Sequence, residues 1–297
     1  MIKPMNKKIE QLIGKMSELG LGLEAEVILC DLLKCERAKL FLMKNEFIPD
    51  EFLELCEEMF LKLKNGVPLA YIRGKKEFYG RDFIVDRGVL IPRPETEILV
   101  DLALQLLKTI DSSNVRIIEI GLGSGCISLS VLCEFLKNNN PGRSINVLGI
   151  EKSELALEVA KKNTKLFKLE KYVNFVNGDL LNGVSGHFDI LVANLPYIPE
   201  NSEDLDSNVR NYEPSSALFA GKNGFELYEE MLHQVASGDY NLHYMIFEIG
   251  YDQGEIAKIA VRKYFPYATV EIRKDLRGFD RVVVVCLKNN SPDSKLD

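Results

Sequence analysis

What the 297-residue chain lacks narrows its class first. No apolar run approaches the roughly 18–20 residues of a membrane span, so no role in a membrane is expected. The basic N-terminus, MIKPMNKKIEQLIGKM, has neither an apolar h-region nor a small-residue cleavage site, and no secretory signal is expected there. None of the six cysteines (Cys30, Cys35, Cys56, Cys126, Cys133 and Cys286) belongs to a CxxC pair, and most lie in apolar periodic segments. Free thiols in a reducing cytosol are therefore expected rather than disulfides or zinc, and the localisation implied is cytoplasmic. His187, His233 and His243 are not at ligand spacing, which leaves a metal centre unsupported. A cationic excess is missing as well. The net charge of -7 argues against a chain whose main task is gripping a phosphate backbone, although a local basic patch is compatible with it.

What is present is ordinary for a globular protein: 46% apolar and 27% charged residues, in a length that suits two domains. Residues 1–75 carry helical spacing, with Leu12, Ile13, Met16 and Leu19, then Ala25, Ile28, Leu29, Leu32 and Leu33, then Phe52, Leu55, Cys56, Met59, Phe60 and Leu63. Residues 76–94 alternate at Phe83, Val85, Val89 and Ile91 around Asp86-Arg87-Gly88, which predicts a β-hairpin linker. From residue 95 to 288 strands and helices alternate. Strands are predicted at 115–120, 145–150, 172–176, 188–193, 244–249, 269–273 and 281–287. The last two have no helix between them, so one of them runs antiparallel. The expected fold is α/β, an open, mostly parallel seven-stranded Rossmann-like sheet closed by an antiparallel hairpin, preceded by a small helical domain. Residues 289–297 have the composition of a disordered tail.

Three strand ends then carry chemistry. The first strand runs into Glu119-Ile120-Gly121-Leu122-Gly123-Ser124-Gly125-Cys126. Glycines in a strand-to-helix turn let a ligand approach the backbone, but the final glycine of a dinucleotide fingerprint is replaced by Cys126. The spacing instead resembles motif I of the class I S-adenosylmethionine methyltransferases; a purely structural turn is the alternative. The second strand ends at Glu151, where a carboxylate can accept from both hydroxyls of a ribose or serve merely as surface charge near a helix start. The third ends in Val176-Asn177-Gly178-Asp179. Asp179 is placed to accept from an adenine amine and Leu180 to pack on the ring; alone, such an aspartate is a turn residue. Together the three ends point to an adenosine-type ligand.

The fourth strand, from Phe188 to Ala193, breaks off into Asn194-Leu195-Pro196-Tyr197. An amide or aromatic amine is a weak nucleophile because its lone pair is delocalised. Two acceptors, the Asn194 side-chain oxygen and the Leu195 carbonyl, would fix its N–H groups and stabilise developing charge. Pro196 biases Leu195 toward an extended backbone, and Tyr197 offers a flat face.

Strand ends of the form Asn-Pro-Pro-Tyr belong to methyltransferases of planar nitrogens. Together with GVLIPRPETE (88–97), VRNYEPSSALFAGKNGFELY (209–228), FEIGYDQG (247–254) and KDLRGFDRVVVV (274–285), the chain resembles the HemK/PrmC family of release-factor glutamine methyltransferases over nearly its whole length. The resemblance implies S-adenosylmethionine as cofactor and S-adenosylhomocysteine as product. The implied partner is the Gly-Gly-Gln loop of peptide-chain release factors, gripped in part by the helical domain. By matched position, Glu119 would support a loop of Gly121, Leu122, Gly123, Ser124 and Gly125 holding the methionine part, while Glu151 would bind the ribose, and Asp179 and Leu180 the adenine. Asn194, Leu195, Pro196 and Tyr197 would hold the glutamine as the catalytic residues, Asn194 also touching the cofactor, with Arg93, Glu95 and Glu213 in the pocket wall. Leu195 stands where the family usually has proline. Asn-Leu-Pro-Tyr is the form seen in ribosomal-RNA adenine dimethyltransferases, so an adenine N6-methyltransferase is the rival reading, and a non-catalytic binder of release factor or ribosome a third.

Overall fold

Residues 7–138, 141–203 and 205–287 are described by the structure, a computed structural model; the expected tail at 289–297 lies outside them. The three-and-four spacing at the start of the chain becomes five helices: α1 (Ile9–Ser17), α2 (Gly22–Leu33), α3 (Arg37–Leu42), α4 (Asp50–Lys64) and α5 (Leu69–Arg73). Their apolar stripes meet in one core of Ile9, Met16, Ile28, Leu29, Cys56 and Phe60. Burial of such stripes, rather than intrinsic propensity, is what holds short helices together.

No hairpin forms around Asp86-Arg87-Gly88; one lies earlier in the chain. Strands β1 (Lys75–Phe78) and β2 (Arg81–Ile84) are joined at Tyr79-Gly80, both at positive φ, as a tight primed turn requires. Asp86-Arg87-Gly88 is a turn too, closed by Gly88 N–H donating to Asp86 Oδ1 at 2.8 Å and Val89 N–H to the Asp86 carbonyl at 3.2 Å. The chain beyond it forms no second strand, because Ile91 N–H donates to the Glu213 side chain at 3.0 Å instead of to a sheet partner. Phe83, Val85, Val89 and Ile91 are all buried but only Phe83 lies in a strand, so beyond it the alternation records burial and not pairing.

After α6 (Glu97–Thr109) the alternation of strand and helix unfolds as β3 (Asn114–Ile120), α7 (Cys126–Lys137), β4 (Ser144–Glu151), α8 (Glu154–Leu166), β5 (Val173–Asn177) and β6 (Ile190–Ala193). Then come α9 (Ser207–Tyr212), α10 (Glu226–Ser237), β7 (Tyr244–Glu248), α11 (Gly254–Tyr264), β8 (Thr269–Lys274) and β9 (Asp280–Cys286). The seven strands β3 to β9 stand in the order β5-β4-β3-β6-β7-β9-β8, with β9 alone antiparallel to its neighbours. Period-two burial splits the sheet between two cores. Ile117, Val147, Ile190, Val192 and Ile246 face α6 and α7, whereas Ile118, Leu191, Ala193, Met245 and Phe247 face α10 and α11. A strand covered on both faces must be apolar throughout, which accounts for the unbroken run Ile190 to Ala193.

The chain divides into two compact units. One runs up to Lys75 and takes in Asp206–Tyr212, with the Tyr212 hydroxyl donating to the Asn65 carbonyl at 2.5 Å; the other holds the sheet. No disulfide joins the six cysteines, of which Cys56 and Cys126 are buried and the rest half-buried. Among the described residues no helix is long and apolar enough to cross a membrane.

Candidate active site

Parallel pairing sets the carboxyl ends of four strands level. Ile120 of β3 pairs with Ile150 of β4 and Ala193 of β6, and Ala193 pairs with Phe247 of β7. One residue further on, Gly121, Glu151, Asn194 and Glu248 therefore form a row. From β3 the chain turns outward to β4 and β5 and then crosses back to β6, so the row straddles the switch point where open α/β sheets bind ligands. A cavity of about 340 Å3 opens there, within the size range of small-ligand sites.

One end of the cavity is the glycine turn. Gly121 N–H and Leu122 N–H both donate to the Ile150 carbonyl, at 2.9 and 3.1 Å, which lashes the turn to β4. Gly121 has φ +72°, and a Cβ there would come within 2.9 Å of Leu195 Cδ2, so only glycine fits without displacing a buried leucine. Gly123 N–H donates to Glu151 Oε2 and Ser153 N–H to Oε1, each at 2.8 Å. A carboxylate offers about four acceptor positions, so Glu151 keeps lone pairs for a ligand while bracing the turn. Glu119 lies behind, fully buried, accepting Ser128 N–H at 3.0 Å; burial pushes its carboxyl up to about 7. At the far rim Lys152 pairs with Asp179 at 2.8 Å, and Leu180, at φ +52°, is buried.

The other end is built by the tetrapeptide after β6. Asn194 Nδ2 donates to Thr96 Oγ1 at 3.2 Å, and Thr96 Oγ1 donates to Glu248 Oε2 at 2.7 Å. Leu195 N–H donates to the Tyr228 hydroxyl at 3.0 Å, and that hydroxyl hands its proton to the Glu248 carbonyl. The Leu195 carbonyl, 3.4 Å from a hydroxyl whose proton is already committed, is left available. Tyr197 donates to Glu248 Oε1 at 3.1 Å, and burial raises the pKa of both.

Comparison with known proteins then places the chain. Residues 21–74 match the PrmC N-terminal domain model and residues 98–210 the methyltransferase small domain model. It is 36% identical to the release factor glutamine methyltransferase of Aquifex aeolicus, over 94% of this chain and 96% of that protein. With the enzyme of the same name from Bacillus cereus it shares 34% identity, over 87% and 90%. The chain belongs to the release factor glutamine methyltransferase family. The fold is shared more widely: the hMettl16 catalytic domain, solved with the MAT2A 3'UTR hairpin 1, superposes with a TM-score of 0.54 at 16% identity, covering 83% of this chain and 96% of that one.

In this family member the expected site residues do not all reach the cavity. Glu119, Gly121 to Gly125 apart from Gly125 itself, Glu151, Asp179, Leu180, Asn194, Leu195, Pro196 and Arg93 line it. Gly125 caps α7, while Tyr197, Glu95 and Glu213 are absent from the lining. Tyr197 is turned to Glu248, and Glu95 lies 3.4 Å from Arg277. Glu213 spends both oxygens inward, on Ile91 N–H and on Arg93 Nη2 at 2.6 Å, so it sets the wall rather than forming it. Thr96, Tyr228, Glu248 and Gln253 are the supports that strand-end reasoning missed. Each lies inside a motif segment, but only the fold brings them under the tetrapeptide. Gln253, for example, holds the Tyr197 carbonyl with its Nε2 at 3.0 Å.

The Leu195 N–H bond makes proline a poor replacement in this chain. Leu195→Pro removes the donor to Tyr228 and trims a side chain that is only 4% exposed, costing about 2 kcal/mol. The carbonyl survives, so turnover should hold to within a few fold while the urea midpoint falls. An unchanged midpoint would show that the N–H and the leucine contribute nothing.

Proposed function

We propose that this protein methylates the side-chain amide nitrogen (N5) of the glutamine in the Gly-Gly-Gln loop of peptide-chain release factors, in the cytoplasm, and so tunes translation termination. Bound S-adenosylmethionine supplies the methyl group and leaves as S-adenosylhomocysteine. The observation that carries the reading is the row at the strand ends, which sets two uncommitted acceptors, Asn194 Oδ1 and the Leu195 carbonyl, beside the glycine turn and Glu151 in one cavity.

The residues suit the cofactor. Glu151 has acceptor capacity left for ribose hydroxyls, Asp179 and Leu180 stand at the adenine end, and the positive-φ turn admits a ligand against its backbone. Toward the substrate, Asn194 and the Leu195 carbonyl accept the two amide N–H bonds. That holds the nitrogen in line for attack and favours the positive charge developing on it. No general base of raised pKa is needed, since an N-alkylated amide sheds its proton readily. The helical unit, with its match to the PrmC N-terminal domain, is the element we assign to gripping the release factor. Direct nucleic-acid binding has no role in this scheme.

Mass spectrometry of release factor incubated with enzyme and S-adenosylmethionine should find one added methyl on the Gly-Gly-Gln glutamine. Labelled methyl entering only RNA or DNA offered in parallel would replace this reading with adenine N6-methylation. Label entering neither, with no cofactor binding in calorimetry, would favour a non-catalytic release-factor or ribosome binder.

A further inference from the structure

A carboxamide has one accepting and one donating end, and a clamp for an amide N–H works with only one of them turned outward. If Asn194 presented its NH2 group to the substrate, donor would face donor. Something must therefore fix which end points which way. We infer that Thr96 is a positioning residue that, backed by the buried Glu248 carboxylate, sets the polarity of the Asn194 amide so that Oδ1 is the end offered to the substrate.

The argument is a count of protons. Thr96 has a single hydroxyl proton and is only 2% exposed, and both of its side-chain bonds are made within the protein. An ionised carboxylate accepts and cannot donate. Thr96 Oγ1 lies 2.7 Å from Glu248 Oε2, so its proton goes there, and charge-assisted bonds of this kind are the strong ones. The Thr96 oxygen is then left as an acceptor, and Asn194 Nδ2 is the group that meets it at 3.2 Å. Among the described residues no group donates to Asn194 Oδ1.

Burial raises the Glu248 pKa, and two further contacts oppose that rise by favouring its ionised, accepting form. The Tyr197 hydroxyl is aimed at its other oxygen at 3.1 Å, and the charge of Arg281 acts on it. The same carboxylate therefore orients both ends of the tetrapeptide, Asn194 through Thr96 and Tyr197 directly. A direct structural role for Thr96 alone would need only a side chain of its shape. The relay needs its hydroxyl.

The inference rests on the methyl-transfer reading for its effect on rate, but its structural half is tested without activity. Thr96→Val keeps the shape and removes the hydroxyl. The side-chain NH2 resonances of Asn194, assigned by their loss in Asn194→Ala, should exchange with solvent about tenfold faster in Thr96→Val than in wild type, the equivalent of one hydrogen bond. Thr96→Ser should restore wild-type exchange, which separates loss of the relay from any general loosening of the fold. With release factor as substrate, Thr96→Val should lower kcat about tenfold, with KM for release factor and cofactor affinity within about twofold, and Thr96→Ser should recover it. In an Asn194→Ala background Thr96→Val should change kcat less than about twofold, because the two act as one unit. Unchanged NH2 exchange in Thr96→Val, or losses that multiply in the double variant, would overturn the relay. A wild-type enzyme that leaves glutamine unmethylated but shows the exchange difference would overturn the substrate reading alone.

Discussion

Asn194→Ala should lower turnover by roughly a hundredfold or more while leaving cofactor affinity within a few fold, as loss of a single preorganised polar group at a transition state does. The expectation follows from where the side chain is spent. The glycine turn is tied to Ile150 and Glu151 through backbone N–H groups, and none of those bonds passes through Asn194. Truncation therefore leaves the cofactor end intact. On the proposed reading, what it removes is one of two acceptors for the substrate amide, with the Leu195 carbonyl remaining to support residual activity. The backbone of β6 is paired on both sides and does not depend on the lost amide, so the variant should fold. Calorimetry for S-adenosylmethionine and methyl-transfer kinetics on release factor separate the two effects. Near-normal turnover would remove Asn194 from the clamp; a large loss of cofactor affinity would reassign it to the cofactor end.

The strand ends were legible because each is written in consecutive residues. Gly121 to Gly125, Glu151 and Asp179 stand where an apolar run stops, and the parallel register then sets those stops level. The candidate clamp was legible for the same reason, since Ile190 to Ala193 ends abruptly at Asn194. The supports were not, because they depend on pairing across the sheet. Nothing local to Thr96 says that its hydroxyl will meet Glu248 of β7, and nothing local to Leu195 says that Tyr228 will take its N–H. Glu213 shows the same limit from the other side. Its sequence neighbourhood marked it as a pocket residue, whereas its two oxygens tie down Ile91 and Arg93. The hairpin failed differently: alternation around Asp86 to Gly88 is a true signal of burial, and burial does not require a sheet partner.

Buried acid beneath a ligand turn has a thermodynamic signature, and Glu119 should display it. Burial outweighs the hydrogen bonding from the Ser128 side chain and N–H and lifts its carboxyl from an ordinary 4.5 to about 7, with the nearby Glu151 charge adding to the rise. Below pH 4.5 the group is neutral in both folded and unfolded chains and costs nothing. Between 4.5 and about 7 the unfolded chain ionises first, so it binds fewer protons than the native state and folding loses ground as pH rises. The slope is ~1.4 kcal/mol per pH unit, for a total of about 3 kcal/mol across that window. Glu119→Gln keeps an oxygen for Ser128 N–H and cannot ionise. In denaturant unfolding of the cofactor-free protein, wild-type stability should therefore fall by about 3 kcal/mol relative to Glu119→Gln on going from pH 4.5 to pH 7. The comparison subtracts every other titrating group and any fixed cost of the added NH2, because only the difference in slope is read. Parallel profiles would mean that Glu119 is ionised throughout, stabilised by more than the hydrogen bonding Ser128 supplies. If S-adenosylmethionine binds in this cavity as proposed, its positive charge should flatten the wild-type profile at the upper end of the window, where the ionised form is the one the charge favours.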